Sequence, residues 1–184
     1  MARTTLRLGA IIWGIVLAGC AMLGPSPVAA LESLTTTHDY AKCPPATSPE
    51  PGVIDAHLCQ GPAGIAVKWI SEPDSSSVDL GSARLQEELG LGSFFEADTS
   101  IEWRGPRKGA DIAPVAAIVG YSVGRSVSRL DGRRLVVYRL EPAGGSCVMA
   151  VVAGSKAGAI ARARALADKH AERFKCGTSR RTGG

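Results

Sequence analysis

Gly120-Tyr121-Ser122-Val123-Gly124 has the G-x-S-x-G spacing of a nucleophile elbow, where glycines let a serine sit on a sharp strand-to-helix turn. With Ser122 as nucleophile, Asp131 or Asp168 as acid and His170 as base, the order serine, acid, histidine is complete. The chemistry would be acyl transfer. The surroundings oppose it. "RSVSRLDGRR" after the motif reads as strand and turn rather than helix, and no β–α–β alternation precedes it. The chain is also short for a doubly wound hydrolase. The favoured reading is a serine inside a strand bounded by glycines, so no catalytic residue is assigned and Ser122 with His170 stands as the alternative.

Three further groupings carry chemistry in principle. His38, Cys43, His57 and Cys59 are proper zinc ligands by type, but H-x4-C-x13-H-x-C lacks the close cysteine pair of a structural zinc site. Oxidation of the two cysteines would remove two ligands together, so neither metal nor cofactor is expected. Arg162, Lys169 and Arg173 fall on one side of a C-terminal helix and could meet an anionic envelope component, lipid headgroups or an acidic protein among them. A solvated face is the plainer reading, with Arg164 and Asp168 balancing each other at i,i+4. Nucleic acid is not expected, because no aromatics interleave with the basic residues. Trp69, Trp103 and Tyr138 could line a ligand groove if they shared an exposed face, but they lie in strand patterns and core packing is the favoured reading; Glu102 and Arg104 alternate with Trp103 and are expected to face solvent.

The elements that must position these residues are mostly strands. "GIAVKWIS" puts Val67 and Trp69 on one face and Lys68 on the other, and a short strand follows near Val78–Leu80. "SARLQEELG" reads as a short helix, with Leu85 and Leu89 four apart and Gly90 as its cap. "SIEWR", "PVAAIVGYSV", "RLVVYRLE" and "SCVMAVVAG" are strand-like, the last apolar on both faces; Asp131-Gly132 and "EPAGG" are turns. A helix over Ser155–Lys175 closes the chain, with Ser155 as N-cap, Gly177 beyond its end, and a packing stripe of Ile160, Ala163, Ala167, Ala171 and Phe174. The predicted fold is α+β: an antiparallel sheet with this helix on one face.

The first 30 residues read as a secretory leader. Arg3 and Arg7 precede 16 uncharged residues from Leu8 to Leu23, and Gly24-Pro25-Ser26-Pro27 breaks any helix before Val28-Ala29-Ala30. Cleavage after Ala30 would free a soluble periplasmic or secreted chain. Leu17-Ala18-Gly19-Cys20 also matches a lipobox, and lipidation of Cys20 would tether the product instead. The apolar run through Cys20 into Ala21-Met22-Leu23 favours the soluble product, and no transmembrane helix is expected in it. Of 184 residues, 154 then remain, enough for one domain over residues 31–176, followed by a disordered basic tail over 177–184. Eight of the 21 basic residues lie from Lys156 onward against Asp168 and Glu172. Cys43, Cys59, Cys147 and Cys176 make an even number in an exported chain. Proximity favours Cys43–Cys59 and Cys147–Cys176. The second pairing also fits a strand of about 17–20 Å followed by a returning helix of about 30 Å.

"CQGPAG", "IEWRG", "VAAI", "LVVYRL", "SCVMA" and "ARALADKHAERFKCG" together resemble a group of small exported alphaproteobacterial proteins of uncharacterised activity. The shared elements are Cys59-Gln60-Gly61 to Gly64, Trp103-Arg104 and Phe174-Lys175-Cys176-Gly177. The resemblance implies an envelope location and a disulfide-stapled α+β domain, and names no catalytic residue. The expected function is therefore a non-catalytic envelope protein, a small binding or interaction module. A serine hydrolase using Ser122 and a purely structural envelope protein are the rivals.

Overall fold

The computed structural model describes residues 31–85 and 87–183. The expected leader and Cys20 therefore lie outside the described residues. Among the described residues twelve strands and one α-helix follow in order: β1 Glu32–Thr37, β2 Asp55–Gln60, β3 Ala66–Ser71, β4 Ser76–Leu80, β5 Ala83–Arg84, β6 Phe94–Gly105, β7 Arg107–Lys108, β8 Asp111–Ile112, β9 Ala116–Gly124, β10 Gly132–Leu140, β11 Gly145–Ala153, α1 Ala159–His170 and β12 Thr182–Gly183. The large sheet runs β1-β6-β9-β10-β11-β12, with β5 also pairing β11; β2-β3-β4 form a second sheet, and β7-β8 a small ribbon.

Three layers result, and they explain why β9 to β11 are apolar on both faces. One face of the large sheet packs on β2–β4 through Val67, Val78, Leu80, Ile101, Trp103, Tyr121 and Tyr138. The other packs on α1 through Ile118, Leu135, Val137, Met149 and Val152 against Ala159, Ala163, Ala167, Ala171 and Phe174. Alanine on the helix permits close approach to the sheet. The α+β class, the antiparallel sheet, its closing helix and both disulfides are as the sequence predicts. Cys43–Cys59 and Cys147–Cys176 join Cα atoms 5.1 and 5.6 Å apart.

Several local expectations are corrected. Among the described residues, 83–90 contain no helix. Ala83–Arg84 instead pairs in parallel with Gly145–Ser146, the Leu85 N–H donates to the Ser146 carbonyl at 2.9 Å, and Glu87 accepts from the Val148 N–H. The segment satisfies the exposed edge of β11, a demand invisible locally. The expected tail does likewise. Thr182–Gly183 pairs in parallel with Ala150–Val151, and Arg181 reaches Glu87 at 2.8 Å.

The helix is shorter than expected. Gly158, at φ +74°, is the N-cap rather than Ser155, and Ile160 is 40% exposed, so Ala159 takes its place in the packing stripe. The tight turn falls at Ser126–Arg129 rather than at Asp131-Gly132, with the Arg129 N–H donating to the Ser126 carbonyl at 3.0 Å. Gly124 makes that hairpin possible, since a Cβ there would stand 1.8 Å from the Arg129 carbonyl oxygen.

Glu102 and Arg104 do alternate with Trp103, but their face lies beneath α1 and both are buried. Arg104 holds Asp168 at 2.6 Å and Ser33, while Arg164 donates to Glu102 at 2.7 Å. Asp168 still acts on Arg164 through its charge, but the direct contacts of both residues are two ion pairs reaching from helix to sheet.

Candidate functional site

Strand register decides the fate of the G-x-S-x-G motif. Ser122 is opposite Arg133 and Glu96 in the neighbouring strands, at the end of β9 nearest the start of α1. Asp168 is bonded to Arg104, whose partner on β9 is Ala116, six positions from Ser122. That is about 20 Å along the strand. His170 lies two residues past Asp168, at the far end of the helix. Asp131 pairs with Arg129 at 3.4 Å. The strand continues through Ser122 to Gly124, so no elbow forms. The parts of a triad are present but not assembled.

The zinc set is dispersed too, since Cys43 and Cys59 are joined to each other. His57 Nδ1 donates to the Cys43 carbonyl at 2.8 Å, and His38 Nε2 lies 2.9 Å from Thr36 Oγ1. Arg162, Lys169 and Arg173 are all exposed on the outer side of the C-terminal segment. Trp103 and Tyr138 are fully buried, as the core reading predicts. Trp69 is not. It lies on the central strand of the small sheet, half-buried against the core, and lines an open groove.

Comparison with family models, curated proteins and solved structures finds no match to this chain.

That groove is the strongest candidate site. It encloses about 390 Å³ between the β3–β4 turn, the first half of β6 and the β9–β10 hairpin. Its inner wall is aromatic. Tyr40 stacks on Trp69 with ring centroids 5.4 Å apart and planes within 8°, and His38 and His57 extend the row beyond the groove without lining it. The Tyr40 hydroxyl donates to the Asp98 carbonyl at 2.8 Å, which fixes the ring, and burial pushes its pKa well up. Cys43–Cys59 anchors the loop between Tyr40 and β2, so a covalent link stands directly behind the aromatic wall.

The opposite lip is Val127 and Leu130 of the hairpin, and Val127 is 52% exposed. The rim is acidic. Glu72 and Asp74 come from the β3–β4 turn, closed by the Glu72 N–H donating to the Ser75 carbonyl at 2.8 Å and by Ser75 Oγ donating to the Glu72 carboxylate at 2.7 Å. Glu96 comes from β6. Glu72, Asp74 and Glu96 have no cationic partner among the described residues, and no lysine, arginine or histidine lines the groove. Asp98 just behind is already neutralised by Arg133.

The sequence reading missed this site except for Trp69. Its residues run from Tyr40 to Leu130 and converge only through strand register. The one local signal was "SEPDSSS", an acidic hydroxyl-rich turn directly after a tryptophan strand.

Proposed function

We propose that this chain is an exported, non-catalytic binding module of the cell envelope, and that the groove beside Trp69 receives its ligand. The observation that carries the reading is the coincidence, in one concave space, of a stacked aromatic wall, an apolar lip and carboxylates without counter-charges. Ligand sites are concave, mostly apolar and furnished with a few orienting polar groups. The one hydroxyl–carboxylate contact there, Ser75 with Glu72, closes the exposed β3–β4 turn and has no histidine beside it, so the chemistry the groove favours is recognition. Export is supported by the leader pattern and by the two disulfides, which persist in oxidising compartments. Among the described residues no helix is long and apolar enough to cross a membrane.

A fragment screen followed by NMR tests the reading. Perturbed amides should cluster at Trp69, Ser75, Glu96 and Val127. Hits that instead map to Ser122, or covalent labelling of Ser122 by a serine-directed fluorophosphonate, would favour the hydrolase.

A further inference from the structure

We infer that the groove takes a small organic ammonium carrying a neighbouring oxygen acceptor, the chemistry of an amino alcohol. This rests on the groove being the binding site. The aromatic wall comes first: Tyr40 covers one face of Trp69 and His57 meets the ring only at a tilt, so an ammonium would approach the part of the indole face left open to the groove, drawn by the ring's quadrupole, with its methyl or methylene groups packing on the indole and on Val127. The sign of the rim comes second. Glu72, Asp74 and Glu96 line the space with no cation among its lining residues. A neutral sugar would use the aromatic face but gain little from three charges.

Hydrated metal ions fit poorly, since among the described residues no three ligating side chains are arranged to hold one. The acceptor follows from Ser76. It is 7% exposed, lines the groove, and its Oγ accepts the Ala97 N–H at 3.0 Å. Its own hydroxyl proton has no acceptor among the described residues. A ligand oxygen one or two bonds from the ammonium would take that proton. The acidic rim disfavours a phosphate at the same place, so the free amino alcohol is preferred over a phosphorylated headgroup. A space of about 390 Å³ lies near the small end of ligand pockets, which run about 300–1,000 Å³.

The test titrates choline chloride into the exported protein. Trp69 fluorescence and backbone amide shifts are the readouts, with phosphocholine and maltose as comparators. Trp103 is fully buried, so a ligand-induced fluorescence change reports Trp69. Saturable choline binding is expected, weaker for phosphocholine, and reduced about three- to fivefold in Glu96→Gln or Glu72→Gln, the worth of one exposed charge pair. Both sites are exposed, so these variants should keep the fold, checked by amide dispersion. Maltose binding without choline binding overturns the ammonium assignment and leaves the groove as the site. Choline binding untouched by both variants, or tightest for phosphocholine, overturns the assignment of the rim. No shift at Trp69 with any probe removes both this inference and the binding reading beneath it.

Discussion

Arg104 is 6% exposed between sheet and helix, and every polar group around it depends on its charge. Its guanidinium grips both carboxylate oxygens of Asp168 at 2.6 Å, donates to Ser33 and stands 3.9 Å from Glu102. Removing it strands the partly buried Asp168 carboxylate while Glu102 keeps Arg164, and breaking a buried pair in this way costs about 3–5 kcal/mol, the lower end applying here. Arg104→Met is therefore expected to destabilise by about 3 kcal/mol or more in urea unfolding. Arg162→Met, on the exposed side of the same helix, should stay within about 0.5 kcal/mol. His38 supplies a pH dependence at this scale. Its imidazole is lowered below its ordinary pKa by burial, and Thr36 Oγ1, which accepts from Trp103 Nε1 at 2.8 Å, can donate its own proton only to a neutral Nε2. The unfolded chain takes up that proton near the ordinary value of about 6.5 and the folded chain resists it, so stability falls as pH drops below about 6.5. Urea midpoints at pH 7.5 and 5.5 should differ less in His38→Gln than in the parent. An equal difference would show that His38 is not the titrating group.

At the scale of elements, strands whose own side chains alternate or are rich in β-branched residues were legible: β3, β4, β9, β10 and β11, with the core of β6. So was the Ala-rich helix. The remainder depends on partners that local sequence does not contain. "SARLQEELG" has helical spacing, yet the open edge of β11 captures it as β5 and the Glu87 contact. Residues 177–184 look like a solvated tail, yet Thr182 and Gly183 complete the same edge. Glu102 and Arg104 were placed on the correct face, but whether that face is wet depends on where α1 lies. The groove was hidden for the same reason, since Tyr40, Trp69, Glu96 and Val127 meet only after three separate strand pairings. The two disulfides act on different elements, and this separates their consequences. Cys147–Cys176 closes 29 residues around α1, and Cys43–Cys59 closes 16 around the loop behind Tyr40. Each should contribute about 3–4 kcal/mol by constraining the unfolded chain. Replacing Cys147 and Cys176 by Ser should speed amide exchange along α1 and leave the groove's affinity intact. Replacing Cys43 and Cys59 by Ser should protect α1 normally and loosen the aromatic wall, weakening any ligand held there.

The whole molecule is electrically lopsided. The helical side presents Arg162, Lys169 and Arg173 to solvent, whereas the groove rim presents Glu72, Asp74 and Glu96. The basic side invites a membrane reading, and magnitudes decide it. Each lysine or arginine near an anionic bilayer contributes about 1 kcal/mol, so three give about 3 kcal/mol. That corresponds to an association constant on the order of 10² M⁻¹, against about 10⁴ M⁻¹ for a single myristoyl chain, itself only a marginal anchor. No apolar stripe on the outer face adds to it, because the alanines and Phe174 are already spent on the sheet and Ile160 stands alone as an exposed large hydrophobe of the helix. The chain cut after Ala30 should therefore stay on anionic vesicles only at low ionic strength and leave them near 0.15 M salt, where the screening length is about 8 Å. Neutralising Arg162, Lys169 and Arg173 together should abolish the low-salt retention, measured by vesicle sedimentation. Retention that survives 0.15 M salt would mean that a second attachment exists, and acylation of Cys20, read from the intact mass of the protein recovered from its host, is then the first to look for. In that case the three cations would orient a tethered domain with its acidic groove turned away from the bilayer, toward ligands free in the surrounding space.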